Sequence, residues 1–410
     1  MLKFELNCDS DKTYSGSGQL SFNGSESVDC PLKICQASTG TIFVDLNLTT
    51  LELPKEITEI EFVGKTVDDE TFTAIGSVIQ IIDKISMPGE TAVDRELLFR
   101  SSGEFHLGIG NKNWQGRATA HFYVTNLEFV GINAEEIAPG LHQHNHIVIS
   151  VNDTSIIIRQ VNNYDERISE IKETHGTAVT AEIVLETTHE AFVKSLELVS
   201  TLCHLLSVAR GKRINWIYYE VFIDDQKVYT EHQPRIVGRY EGTEVIDNMP
   251  PQNTVQFLEE CYSHYVRLDH AFKFQNVANF YTAVRSGGFT ENRCLTAFAL
   301  AEYLAKKTSN PPSNKHKRNF RKWLEAIVIE FAVPITGAEI DSFVELRNSL
   351  VHELEWMPSD ITEQYQSVQH FLDRLLLRIL GYKGYYLPAT KFPQWSGCNM
   401  YKLTPTSHTE

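Results

Sequence analysis

Over the first 185 residues, apolar positions recur at a spacing of two or in short β-branched and aromatic runs. Examples are GSGQLSF, GTIFVDLNL, EITEIEFVGKTV and ATAHFYVTNLEFVG, with Gly, Asn, Asp and Ser between them. This predicts strands joined by turns, with helical periodicity largely absent, and fits a β-sandwich or a distorted barrel. The period changes at HEAFVKSLELVSTLCHLLSVARG, residues 189–211. There Phe192, Leu196, Leu198, Val199, Leu202, Leu205 and Leu206 fall at helical spacing, and Gly211 follows as a stop. The strand-like runs INWIYYEVFI and KVYTEH come next, giving an αββ segment at about 189–232. DNMPPQN, residues 247–253, is the expected linker.

From residue 254 the period is helical, with helices expected near 254–268, 272–286, 290–308, 315–332, 337–357 and 360–381. SGG at 286–288 and SNPPSN at 309–314 interrupt the pattern. TGAE at 336–339 and SDITE at 359–363 resemble capping boxes, a side-chain acceptor followed three residues later by Glu. The expected architecture is α+β: a β-rich amino-terminal domain over 1–250, a helical domain over 251–390, and an irregular tail over 391–410.

Charge adds an asymmetry. Residues 251–410 carry 17 Lys and Arg against 16 Asp and Glu, leaving 20 against 37 in residues 1–250; the halves, +1 and −17, sum to the net −16. An acidic half repels polyanions, whereas the near-neutral half has room for a local basic patch. No run of 18 apolar residues suggests a membrane span, and the first residues lack an apolar signal-peptide core. The seven cysteines are odd in number and scattered, which suits a reduced, cytoplasmic protein.

The candidate chemistry lies in ELRNSLVHELEW, residues 345–356. Asn348 and His352, four apart, share a face of an α-helix, whereas Arg347 and His352, five apart, are separated by roughly 140°. They converge on one ligand only if the guanidinium reaches around or a second copy of the helix faces the first. These residue types suit RNA cleavage. Histidine can take the proton of the 2′-hydroxyl or give one to the leaving 5′-oxygen. Arginine matches the extra charge on the pentacoordinate phosphorus, and an amide at 348 can orient the histidine or bind a phosphate oxygen. The competing assignment is a solvated arginine beside a half-buried core histidine. HELEW lacks the second histidine of a zinc helix, since Trp356 stands there, so metal and cofactor are both expected to be none.

LRNSLVHE, together with CLTAFALAEYLAKK (294–307) and FLDRLLLRILGYKGYY (371–386), resembles the HEPN domains, in particular the ApeA-like group. The resemblance covers about 254–386. It implies a four-helix core with the motif late in the third helix, Glu302 facing the motif, and a β-rich domain in front. It further implies a metal-independent endoribonuclease toxin, active as a homodimer, that cuts transfer RNA or another structured RNA in abortive infection against phage. The amino-terminal domain would sense a phage-derived trigger. On this resemblance Arg347, Asn348, His352 and Glu302 form the catalytic set. The alternative is a catalytically silent module that binds a nucleotide or a protein partner.

Three further stretches carry candidate chemistry. NKHKRNFRKW, residues 314–323, is the densest basic run. Its Lys315, Lys317, Arg318, Arg321 and Lys322 would bind RNA phosphates, or else form a solvated helix start. His142, His144 and His146 project to one face of a strand, too widely spaced to reach one ion easily. Cys30 and Cys35 lack a second pair of ligands at metal spacing.

Overall fold

The computed structural model describes residues 8–49, 56–85, 94–138, 141–286, 288–307, 320–353, 361–388 and 401–402. The chain divides into two compact units. One comprises Met1–Asn126, Val161–Glu197 and Asn215–Gly238; the other comprises Leu127–Gln160, Leu198–Ile214 and Arg239–Glu410.

The first unit contains a closed barrel of six antiparallel strands: β1 (Cys8–Phe22), β2 (Val28–Ala37), β3 (Ile42–Thr49), β4 (Glu59–Thr66), β5 (Thr71–Ile85) and β6 (Asp94–Gly110). The order is β3-β2-β1-β4-β5-β6, and pairing of β3 with β6, from Phe43 opposite Arg100 to Thr49 opposite Asp94, closes it. Alternation builds the interior. Ile60 and Phe62 of β4 point inward while Glu59, Glu61 and Val63 face out. Leu20, Ile34, Val44, Leu46, Phe72, Phe99 and Leu107 complete a fully buried core. β1 crosses β4 at Gly18 and Gly64, so close that a Cβ on Gly18 would lie 2.4 Å from the Gly64 Cα.

β6 continues the sheet through β13 (Gln226–His232), β12 (Asn215–Ile223), β7 (Arg117–Thr125) and β11 (Val179–Thr188). Helix α1 (Tyr164–Thr174) was not expected. It buries Tyr164, Ile168 and Ile171, which recur at helical spacing over 11 residues. Helix α2 (Phe192–Arg210) is long and apolar enough to cross a membrane by length and composition. Its Val199, Leu202, Cys203, Leu205 and Leu206 are fully buried in the fold, as in a core helix. Cys35 is disulfide-bonded, which corrects the expectation of uniformly reduced cysteines; Cys30, Cys203, Cys261 and Cys294 are free and buried.

The second unit corrects the expected fold class. The carboxy-terminal helices do not form a distinct all-α HEPN bundle. They share their unit with an antiparallel ribbon of β8 (Asn133–Ala138), β9 (Leu141–Val151) and β10 (Thr154–Gln160) and with residues 198–214. Helix α3 (Gln252–Phe272) packs on β9, where the Ser150 backbone N–H donates to Glu259 Oε1 at 2.9 Å. The physical reason is that the ribbon buries apolar side chains such as Ile147, Ile149, Ile156 and Ile158, and a two-faced ribbon needs a partner layer. Residues 247–253 are not a linker between domains either. They lie within this unit, Asp247 and Asn248 are buried, and Asn248 Oδ1 accepts from Arg210 Nη2 at 2.8 Å.

Helices α4 (Phe274–Arg285), α5 (Thr290–Ala305), α6 (Phe320–Glu330), α7 (Gly337–Asn348) and α8 (Ile361–Ile379) follow. α5 sits centrally and touches α4, α6, α7 and α8. A buried ion pair ties α4 to α8: Arg285 Nη1 lies 2.6 Å from Asp373 Oδ1, which also accepts from the Tyr281 hydroxyl at 2.5 Å. The other fork of Arg285 donates to the Thr243 carbonyl and hydroxyl at 2.9 and 2.7 Å. A short strand pair joins β14 (Tyr385–Tyr386), at the end of the expected helical domain, to β15 (Tyr401–Lys402), inside the tail expected to be irregular.

Candidate functional site

Helix α7 starts at the expected capping box. Thr336 Oγ1 accepts from the Glu339 backbone N–H at 3.2 Å, and Glu339 Oε2 accepts from the Thr336 N–H at 2.8 Å. The second oxygen of Glu339 accepts from Arg374 of α8 at 2.8 Å. Burial pushes the Glu339 carboxyl up, but the Thr336 N–H and the Arg374 guanidinium hold it below its ordinary value. Phe343 meets Phe371 of α8 with ring centroids 5.1 Å apart. These contacts fix the helix that carries Arg347.

Arg347 faces α5 and α6. Its Nη2 lies 4.0 Å from Glu302 Oε2, its Nη1 donates to Asn348 Oδ1 at 3.2 Å, and its guanidinium carbon stands 5.3 Å from the Phe320 ring centroid. Glu302 also receives Lys306 Nζ at 2.6 Å. Three of the four expected catalytic residues are therefore in one place. For the fourth, the backbone is the finding. α-Winding stops at Asn348, and Ser349–Glu353 forms a π turn. Of the α-helix expected over 337–357, the described part is a 12-residue α-helix with a π extension, and residues 354–357 lie outside the described residues. A π turn closes i→i+5 hydrogen bonds and winds less tightly than an α-helix, so it narrows the roughly 140° between residues five apart without bringing them into line. Most of the interval from Arg347 to His352 is wound this way. The His352 side chain lies outside the described residues.

Between α7 and α8, a cleft of about 210 Å³ is lined by Ser342, Phe343, Leu346, Glu363, Gln364 and Ser367.

The basic run is only partly described. Lys315, Lys317 and Arg318 lie outside the described residues. Arg321 Nε donates to Glu325 Oε1 at 2.8 Å and its Nη1 pairs with Asp341, while Lys322 Nζ pairs with Glu325 Oε2 at 2.7 Å. Lys322 and Arg321 together hold the Glu325 carboxyl below its usual range. Of the three histidines on β9, His144 Nδ1 meets the Ile132 carbonyl at 2.8 Å, His146 Nδ1 meets Asn145 Oδ1 at 3.0 Å, and His142 is exposed. Among the described residues no group of three or more His, Cys, Asp or Glu is arranged to hold a metal ion.

The first unit holds a polar cluster that the sequence reasoning missed. Glu231 of β13 is buried and accepts from the Tyr219 hydroxyl (2.8 Å), the Tyr229 hydroxyl (3.0 Å), Gln233 Nε2 (2.8 Å) and His106 Nδ1 (3.2 Å). Burial pushes this carboxyl up, yet the four donors outweigh it and bring it down to about 2. The hydrogen bond to Glu231 raises His106. Both carboxylate oxygens are occupied from within, which suits a structural tie between β6, β12 and β13. Tyr229 and Glu231, two apart in KVYTEH, share a strand face, and that spacing was the available signal.

Residues 117–243 match a family model described as the YopA central domain. The match runs from β7 to just beyond β13 and includes Glu231, Tyr219 and Tyr229, but stops short of α3–α8 and of Arg347. No curated protein and no solved structure matches the chain.

Proposed function

We propose that the protein is a metal-independent endoribonuclease with Arg347, Asn348 and His352 at its cleavage centre. The observation that carries this is the π turn directly after Arg347–Asn348, which lessens the angular gap between positions 347 and 352. π turns within helices occur frequently at functional sites. Glu302 and Phe320 position the guanidinium, and a bound phosphate would share it with the Glu302 carboxylate. In the reaction the 2′-oxygen attacks phosphorus as its proton leaves, the bond to the 5′-oxygen breaks, and that oxygen takes up a proton. His352 serves one or both proton transfers, and Arg347 neutralises the developing phosphorane. Asn348 orients Arg347 or a phosphate oxygen.

One observation favours a second reading, a catalytically silent module that binds a nucleotide or a protein partner. Arg321 and Lys322 already face Glu325 and Asp341, which leaves less free positive charge to grip a polyanion. Incubating purified protein with bulk transfer RNA in EDTA separates the two. The nuclease yields 2′,3′-cyclic phosphate and 5′-hydroxyl ends, lost in His352→Ala. Intact RNA, or 5′-phosphate ends, refutes it.

A further inference from the structure

Two cations meet on one carboxylate at the proposed cleavage centre. Glu302 lies in the last turn of α5. Its Oε1 receives Lys306 Nζ at 2.6 Å, and its Oε2 stands 4.0 Å from Arg347 Nη2 of α7. These two contacts differ in kind. Charge-assisted N–H···O bonds run to about 2.7–2.9 Å, so Lys306 holds the carboxylate, while Arg347 is drawn to it by charge alone. The guanidinium donates instead to Asn348 Oδ1 at 3.2 Å and rests against the Phe320 ring. A carboxylate and a phosphodiester each offer two charged oxygens to an arginine fork. Glu302 therefore stands where an RNA phosphate would be gripped. The place is open to solvent, with the side chains of Glu302 and Arg347 32% and 25% exposed and that of Lys306 51% exposed.

We infer that Glu302 is a resident competitor of the RNA. Its carboxylate neutralises part of the charge on Arg347 and Lys306 and so limits how tightly those two cations hold the strand. The inference rests on RNA being the ligand of this centre and names how its binding is restrained. The three side chains sum to a charge of +1, which one phosphodiester neutralises. Without the Glu302 charge they sum to +2, and a second phosphate of the same strand gains a partner. No hydrogen bond between Arg347 and Glu302 has to break when phosphate arrives. A residue that helped to hold RNA would weaken binding when its charge was removed; a competitor strengthens it.

The test is fluorescence anisotropy of a labelled single-stranded 2′-O-methyl oligonucleotide, which has no 2′-hydroxyl to attack. It is titrated with the intact protein in EDTA at several salt concentrations. Glu302→Gln should bind about two- to fivefold more tightly than the parent, the range for an exposed ion pair. Its plot of log affinity against log salt should steepen by about 0.7, the slope for one further phosphate on a single strand. Lys306→Ala, which leaves Glu302 to Arg347 alone, should weaken binding. Glu186→Gln removes an equal charge from an exposed position in the first unit and should change neither affinity nor slope. Equal or weaker binding by Glu302→Gln, a tightening matched by Glu186→Gln, indifference to Lys306→Ala, or no binding by any of these proteins overturns the inference. Tighter binding by Glu302→Gln in a protein that leaves transfer RNA intact would keep the competition and remove the nuclease. His352-dependent cleavage, with oligonucleotide affinity indifferent to Glu302→Gln, would do the reverse.

Discussion

Glu231→Gln should cost the first unit stability in a way that depends on pH. The carboxylate is buried and accepts four hydrogen bonds, two of them from tyrosine hydroxyls. Its pKa falls from an ordinary 4.5 to about 2. At about 1.4 kcal/mol per unit, the ionised form contributes roughly 3 kcal/mol of folding free energy at neutral pH. A depressed folded-state pKa fixes the sign. The contribution is complete above the unfolded value near 4.5 and declines as pH falls toward 2, to about 1 kcal/mol at pH 3. Glutamine keeps one acceptor but turns its NH₂ toward donors, so the tyrosines and Gln233 lose partners and the linkage disappears. Hydrogen exchange at the amides of β12 and β13, corrected for intrinsic exchange rates, reads the opening of this region without assuming that the whole chain unfolds in one step. Between pH 7 and pH 3 the parent should lose about 2 kcal/mol more protection than the variant. Parallel pH profiles for the two proteins would refute the assignment of the depressed pKa to these four donors.

Asp373→Ala should destabilise the second unit by about 3–5 kcal/mol, because it leaves Arg285 buried and charged; the double variant Arg285→Met, Asp373→Leu should recover much of the loss in thermal unfolding. Thr336→Ala should cost about 1 kcal/mol through the lost cap of α7, seen as a lower unfolding midpoint by circular dichroism. Arg347→Lys should lower RNA cleavage at least tenfold with an unchanged unfolding midpoint, since lysine retains the charge but not the fork; parental rates would detach Arg347 from the chemistry. Deleting Val351, which is exposed, should convert the π turn to α-winding and bring the arginine and histidine to a spacing of four, on one face. This variant should stay folded and keep EDTA-resistant cleavage, and a folded but inactive deletion would remove the shared-face explanation.

The elements that were legible in the sequence are those written in local periodicity and caps. α3 and α4 each bury a stripe at helical spacing, and the capping box at Thr336 marks the start of α7. α1 was missed because three apolar residues in an 11-residue charged segment give a weak signal. The choice between sandwich and barrel rests on β3 meeting β6, strands separated by β4 and β5, and nothing within either strand encodes that pairing. The same holds for the fold class. Residues 127–160 look like any other antiparallel segment, and only their long-range packing on α3 joins them to the helices rather than leaving an all-α bundle.

The proposed site rests on residue types that the sequence displays and on a backbone that it does not. ELRNSLVHELEW satisfies α-periodicity through Leu346, Leu350 and Leu354, and on α geometry its arginine and histidine diverge. A π turn widens the register locally and leaves no hydrophobic pattern to announce it. The stripe is kept because Leu350, inside the turn, is still buried. What changes is the polar face. The wide angular gap of a five-residue spacing on an α-helix is narrowed, and Val351, within the turn, is exposed to solvent. An exposed valine at the point where a helix departs from α-winding is weak packing at a local energetic cost. The arrangement is intelligible if the backbone there answers to the convergence of positions 347 and 352 rather than to the core.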